Sequence, residues 1–405
     1  MRGASTPVMH SVDIRLFSVT NTVHTNEPAD GRATRIYSTT REVPSGVLIV
    51  SPWGDIAHRQ VRGNLTLPTP ISDAYPSKDS DADLSKETGK HSTIEDMNAD
   101  SGTGAPPRKR DEVDTRRRSR DRSWPDLPDG LPSPVVDNHC HLDFSDGEHA
   151  LDVEEQIHRA AEVGVERIIT IGCELDSARW TAELLAREPR LSGGVAIHPN
   201  DAVLHVRGTD RHGREAVSLD EAIAEIAGLL RGPGMVVVGE TGLDWFRTSR
   251  RDEAARAAQF ESFRAHIALA KELDLPMQIH DRDAHRDVLD VLASDGAPEL
   301  TVFHCFSGDA EMARECVEHG YYLSFAGTVT FSNASDLREA LALTPLDRVL
   351  VETDAPFLTP VPYRGRPNAS YLVPLTMRMI ADVKGVDLET ACRVVRANTR
   401  AVYGV

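Results

Sequence analysis

No apolar run in the chain approaches about 18 residues, so no membrane-spanning helix is expected. The start, Met-Arg-Gly-Ala-Ser, has no apolar core behind it, so no secretory signal is expected either. Three consecutive arginines at 116–118 are followed by Ser-Arg-Asp-Arg-Ser-Trp-Pro-Asp, which is not a signal core. Cysteines are few. Cys140, Cys173, Cys305, Cys316 and Cys392 are odd in number and form no Cys-x-x-Cys pair. That pattern excludes a disulfide framework and fits a reducing compartment, so a cytoplasmic protein is expected. Excess positive charge is also lacking. A net charge of -18 and a pI near 5.3 argue against a broad basic surface for duplex DNA. An acidic chain can still bind nucleic acid locally where metals and a few arginines neutralise phosphates at one site.

The first third of the chain lacks helical periodicity. Residues 1–133 are rich in Ser, Thr, Pro, Asp and Arg and are close to neutral overall. Residues 47–50 form a short strand-like run with nothing to pair with. Residues 76–130 have the composition of a disordered tail. Residues 108–122 mix charges, as a solvated linker does; the alternative is a nucleic-acid tether. Met97 opens a plausible short tail, which suggests that residues 1–96 are a start-site artefact.

From residue 134 to 405 strand-like and helix-like segments alternate. Short apolar runs at 135–138, 167–171, 194–197, 235–239, 277–279, 301–303, 322–325 and 349–352 predict eight buried parallel strands. Amphipathic stretches at 221–230, 252–273 and 309–319 predict intervening helices, and a final helix is expected over 388–402. The fold class is therefore α/β, a (β/α)8 TIM-type barrel with a disordered N-terminal extension. Two regions follow: an extension over 1–133 and a barrel over 134–405. No internal repeat exceeds this rhythm.

Six potential metal ligands stand at the ends of those runs. His139 and His141 end the first, Glu240 the fourth, His280 the fifth, His304 the sixth and Asp354 the eighth. His139 and His141 are two residues apart, which puts both rings on one face of a strand. Glu240 is a carboxylate at a buried position and needs a partner; a metal pair is one, and its two oxygens can bridge two ions. Each residue alone also has a plain structural reading, as a hydrogen-bonded strand-end histidine or a turn aspartate. Together, at one end of one barrel, they describe a site for one or two divalent cations. His198, in Val-Ala-Ile-His-Pro-Asn, is a candidate for holding substrate or a water. Asp244 is a candidate for orienting a ligand imidazole. Arg364, in Pro-Tyr-Arg-Gly-Arg-Pro-Asn, is a candidate phosphate clamp. Cys140 and Cys305 alternate away from their neighbouring histidines and read as packing.

At these positions the chain resembles the TatD family of metal-dependent hydrolases and deoxyribonucleases. The matching segments are Asp-Asn-His-Cys-His-Leu at 137–142, Gly-Glu-Thr-Gly-Leu-Asp at 239–244, Pro-Met-Gln-Ile-His at 276–280, His-Cys-Phe-Ser-Gly at 304–308 and Glu-Thr-Asp-Ala-Pro-Phe-Leu-Thr-Pro at 352–360. The resemblance implies two divalent metals, Mg²⁺, Mn²⁺ or Zn²⁺. His139, His141, Glu240 and Asp354 would hold the first; Glu240, His280 and His304 the second. It also implies phosphodiester hydrolysis, with DNA cut from a 3′ end. Two departures stand out: Trp245 where the family often has Tyr, and Arg-Gly-Arg-Pro-Asn-Ala-Ser at 364–370 in the loop after the eighth strand.

The expected chemistry assigns Asp354, Glu240 and His198 to catalysis, with His198 and Arg364 also binding substrate. The partner expected is DNA or a short nucleic acid, with no membrane and no obligate protein partner. An amide or ester hydrolase on the same platform is the alternative, and a non-enzymatic metal scaffold is a third. The native N-terminus is expected at or after Met97; mass spectrometry of the natural protein checks this, and any peptide preceding that residue excludes it.

Overall fold

The structure, a computed structural model, describes residues 108–110 and 119–405. The strand-like run at 47–50 and the Met97 start lie outside these residues. Eight parallel strands form one sheet, in the chain order β2 (Val135–Cys140), β4 (Val165–Gly172), β5 (Leu191–Val195), β6 (Met235–Asp244), β7 (Met277–Arg282), β8 (Thr301–Phe303), β9 (Tyr322–Phe325) and β10 (Val349–Val351). Two short strands, β1 (Arg108–Lys109) and β3 (Phe144–Ser145), pair in parallel beside it. The helices α1 (Val153–Glu162), α2 (Leu175–Arg187), α3 (Pro199–Arg207), α4 (Leu219–Leu229), α5 (Glu253–Leu273), α6 (His285–Asp295), α7 (Ala310–Glu318), α8 (Ser335–Leu343), α9 (Val373–Lys384) and α10 (Leu388–Tyr403) alternate with the strands and end the chain. The expected TIM-type barrel is the fold observed. No described helix is long and apolar enough to cross a membrane.

Closure joins β2 to the segment after β10. An isolated parallel bridge links Cys140 to Ala355. His141 N–H donates to Ala355 O at 2.7 Å, and Asp354 N–H to His139 O at 2.9 Å. The buried Asp137 carboxylate reinforces the seam by accepting the Thr353 N–H at 2.9 Å and its hydroxyl at 2.6 Å. Three expected ligand positions, His139, His141 and Asp354, are thus fixed by the same bonds that close the barrel.

Period-two alternation separates two apolar layers. Val136, Ile169, Ile171, Val237, Val302 and Leu350 cluster with Val402 and Tyr403 of α10. Ile168, Leu184, Phe263 and Ile267 belong to the larger cluster between strands and helices. The helices begin where the sequence offers caps. Asp152, Asp252 and Asp387 cap α1, α5 and α10, while Glu174 and Ser218 close capping boxes at α2 and α4.

Two sequence expectations change. β6 extends five residues past 239, because Thr241 to Asp244 pair with Ile279 to Arg282 of β7. Residues 119–130, whose composition predicts a disordered tail, are seated on the barrel. Arg120 grips the Asp146 carboxylate at 3.1 and 2.7 Å. Arg366 donates to Ser123 O and Trp124 O at 3.0 and 2.7 Å, and Tyr371 OH to Pro125 O at 2.8 Å. Those partners lie far along the chain, where local composition does not register them.

His266 of α5 ties the barrel to its helical layer. Ile197 N–H donates to its Nε2 at 3.2 Å, so Nδ1 carries the proton and donates to Ser262 O at 2.7 Å. Burial pushes its pKa down to about 4. The folded ring stays neutral while the unfolded one, near 6.5, takes a proton, so stability present above pH 6.5 is lost as pH falls toward 4. The stability gap between the wild type and His266→Gln should therefore narrow over that window, by on the order of 3 kcal/mol. Denaturant melts at pH 7 and pH 4.5 measure it, and a gap independent of pH would refute the assignment.

Candidate metal centre

Two breaks in strand register aim the acidic and imidazole groups inward. Plain alternation would put Asn138 and His139 on opposite faces. The β2–β4 pairing shifts between Asp137 and Cys140, and the side chains of both Asn138 and His139 reach Gln278 of β7: His139 Nδ1 lies 2.8 Å from Gln278 Oε1, and Gln278 Nε2 donates to Asn138 Oδ1 at 3.1 Å. The β6–β7 pairing shifts between Val238 and Thr241. Val238 packs outward, yet Glu240 two residues on points into the barrel mouth. Gly242 permits the close approach, since a Cβ there would meet His280 O at 2.0 Å.

The six expected ligands converge. His141 Nε2 is 3.2 Å from Asp354 Oδ1, 3.7 Å from Glu240 Oε1 and 3.4 Å from His139 Nε2. His139 Nε2 is 3.8 Å from Asp354 Oδ1. On the other side Glu240 Oε2 contacts His304 Nε2 and stands 3.2 Å from His280 Nδ1. Donor atoms about 2.0–2.1 Å from a tetrahedral cation lie roughly 3.3 Å apart, so these separations suit a shared cation. Three sets each bring their donor atoms within 4.8 Å of one another: His139, His304 and Asp354; His139, His141 and Glu240; His198, Glu240 and His280. Two ring nitrogens of the cluster, His280 Nε2 and His304 Nδ1, are buried without a hydrogen bond. A donor set of this kind fits divalent cations.

Electrostatics agree. Burial favours the neutral acid at Glu240, yet the His304 ring and the bonds from His280 and His304 hold its carboxyl well below the usual range. Burial, then the adjacent His304 ring, pushes His139 well below the usual imidazole value. Burial and the His280 ring do the same to His198. The three rings against Glu240 go the other way: despite burial, Asp354 and Glu240 raise His141, Asp244 and Glu240 raise His280, and Glu240 and Glu352 raise His304 well above the usual imidazole value, and a bound cation would displace those protons.

The remaining sequence candidates divide. His198 caps α3, its Nδ1 accepting Asn200 N–H at 3.1 Å, and stands beside Glu240 and His280, closer to the donor group than a mere water contact would need. Asp244 Oδ2 lies 3.4 Å from His280 Nε2 and is held by Asn200 and by Arg247 N–H at 2.9 and 2.8 Å. Arg364 does not join the cluster: it is exposed, stacks over Phe331 at 4.1 Å, and does not line the cleft. The cleft, about 1290 Å³, takes its cationic lining from other residues, among them Arg247, Arg282 and Arg108. Trp245 is buried and bonds Asp287 at 2.7 Å, so that departure from the family pattern turns away from the cleft. Cys140 is buried in the core. Cys173, which no motif in the chain singles out, donates to Glu240 Oε1 at 3.2 Å.

A buried histidine–carboxylate cluster at the mouth of a parallel barrel is a donor set suited to divalent cations. The family model described as TatD related DNase matches residues 136–404. The chain belongs to this TatD family. It is 42% identical over 272 residues to an uncharacterised metal-dependent hydrolase, TatD, of Mycobacterium tuberculosis, covering 67% of this chain and 98% of that one. It is 30% identical over 272 residues to a protein of Enterobacter lignolyticus named 3'-5' ssDNA/RNA exonuclease TatD, covering 65% and 97%. Its fold matches the crystal structure of YJJV, a TatD homologue from Escherichia coli, with a TM-score of 0.59 and 27% identity over 67% of this chain and 98% of that one.

Gln278 is the polar partner the sequence reading passed over, although it sits inside a quoted motif. It orients His139 and is itself held by Tyr403 OH at 2.8 Å. Gln278→Leu should weaken divalent-metal affinity about 10- to 100-fold with the fold retained. Metal titration of the variant checks this; wild-type affinity would show that Gln278 does not support the site.

Proposed function

We propose that this hydrolase cleaves phosphodiester bonds, as an exonuclease on the 3′ ends of single-stranded or frayed DNA, using two divalent cations drawn from Mg²⁺, Mn²⁺ and Zn²⁺. One observation carries the reading. The two oxygens of a single buried carboxylate face different partners, Oε1 toward His141 and Oε2 toward His280 and His304. That is the disposition a bridging ligand needs. His139, His141, Glu240 and Asp354 would hold one cation, and Glu240, His280 and His304 the other. Bound there, cations of this class polarise a phosphoryl oxygen and lower the pKa of a water.

The chain's own groups supply the rest. Asp354 keeps 14% of its side chain exposed, toward the cleft that it lines, and is the group to accept the attacking water's proton. His198 has Nδ1 occupied by the Asn200 N–H, which leaves Nε2 for a phosphate oxygen or a water. Arg247 and Arg282 line the cleft and take the charge-balancing part first assigned to Arg364. The 3′-5′ polarity and the single-stranded preference draw support from the name of the Enterobacter relative.

The test is nucleotide release from 3′- and 5′-end-labelled single-stranded DNA. Stepwise loss from the 3′ end is expected with Mg²⁺, Mn²⁺ or Zn²⁺, and none after chelation. Glu240→Gln should lower turnover at least about a hundredfold, the scale on which enzymes lose a transition-state electrostatic contact. Cleavage that survives chelator, or turnover of an ester or amide panel in place of DNA, would defeat the proposal.

A further inference from the structure

Arg108 enters the cleft from outside the barrel. β1 runs parallel to β3, with Arg108 opposite Phe144 and Lys109 opposite Ser145. Arg108 N–H donates to Asp143 O at 2.9 Å and Arg110 N–H to Ser145 O at 3.0 Å. The Arg110 side chain adds bonds to the Asp146 carboxylate, at 3.2 Å, and to Pro356 O. The short strand is therefore fastened to the segments just after His141 and just after Asp354.

The Arg108 side chain is 10% exposed and bonds the Asp143 carboxylate through Nε. Its guanidinium carbon lies 4.0 Å from the centre of the Phe144 ring, which in turn packs edge-on to His141 at 6.3 Å. The pair with Asp143 is a single contact rather than a fork: Arg108 Nη2 and Asp143 Oδ1 are both buried without a hydrogen bond. Arg108 lines the cleft together with His141, Cys173 and Glu240. Neutralising Asp143 accounts for Nε and leaves Nη2 unexplained. A buried donor without an acceptor is destabilising, and the arrival of an acceptor removes that cost. A guanidinium flanked by an aromatic ring best matches an anionic oxygen, and phosphate above others.

We infer that β1 delivers Arg108 as an anion-binding residue of the metal cleft, with Nη2 taking an oxygen of a phosphate seated there. The inference rests on the phosphodiesterase reading and makes it more specific. It also gives the N-terminal segment a part in the site, since Arg108 precedes the family-matched span of residues 136–404.

The experiment uses the full chain loaded with metal, as wild type, Arg108→Ala, Arg108→Lys and the exposed neighbour Lys109→Ala. Metal content and thermal melting are recorded for each. Inorganic phosphate is the probe, titrated by calorimetry, followed by single-stranded DNA kinetics. Arg108→Ala should weaken phosphate binding about 10- to 100-fold and raise KM for DNA more than it lowers kcat, the range for a hydrogen bond to a charged group. Arg108→Lys should fall between, because one ammonium committed to Asp143 offers no fork. Lys109→Ala should stay within about twofold, which separates a specific donor from lost net charge. Wild-type phosphate affinity in Arg108→Ala with metal retained overturns the inference. Should the alanine variant misfold or lose metal, wild-type affinity in Arg108→Lys overturns it instead. If no form cleaves DNA but phosphate binding still depends on Arg108, the nuclease reading fails and the anion site stands.

Discussion

A carboxylate taken out of water must be neutralised or paired, and the barrel mouth is organised around that requirement at Glu240. Its side chain is 6% exposed and has imidazoles on both oxygens. Burial alone would drive it to the neutral acid. The surrounding rings reverse this, and they come from β2, β7 and the turn after β8. No local stretch of chain could supply such a set. Only closure of the barrel brings it together, so the fold and the ionised state of one residue depend on each other.

The closing seam makes that dependence concrete. Asp354 N–H bonds His139 O, His141 N–H bonds Ala355 O, and Asp137 holds Thr353. Three ligand positions are thereby spaced by backbone bonds, not left to side-chain rotamers. From below, Tyr403 at the end of α10 bonds Gln278, which bonds His139. The final turn of the chain thus braces a ring near the start of the barrel. An apolar cluster of Val136, Ile171, Val237 and Leu350 surrounds that brace and keeps competing water away.

Much of this was legible in the order of residues, for a physical reason. Parallel strands buried on both faces read as short apolar runs, and seven of the eight coincide with the runs read from sequence, while β5, at Leu191–Val195, begins three residues before the expected 194–197. A ligand at the end of each run needs no tertiary knowledge to be noticed. What the runs do not encode is aim. Alternation alone would have turned Glu240 outward with Val238, and the register shifts that correct it depend on pairing with β4 and β7. Arg364 failed for the complementary reason. Its loop position was legible, but whether a long side chain reaches the cleft or lies on Phe331 is settled by a residue 33 positions earlier. Seating of residues 119–130 likewise depends on Asp146, Arg366 and Tyr371, none of them near in sequence.

Charge distribution bears on how an acidic chain could meet the phosphate-bearing substrate proposed for it. The net charge of -18 opposes long-range capture of a polyanion. Much of the surface arginine is committed to carboxylates: Arg190 to Glu154 and Glu188, Arg396 to Glu166, Arg179 to Glu225. Pairs of that kind add little attraction at a distance, because each arginine is cancelled within a few ångströms and salt screens what remains. Positive charge available to a ligand must then be local. Cations held at the Glu240 cluster would provide it at the reacting phosphate, and arginines along the cleft would provide it nearby. Such a surface disfavours sliding along duplex DNA, which depends on a continuous basic track. It tolerates a chain end that enters one pocket and is held by a few strong, short-range contacts. If the substrate is a nucleic acid, this charge distribution suits the end of a strand better than its middle, before any shape argument is made.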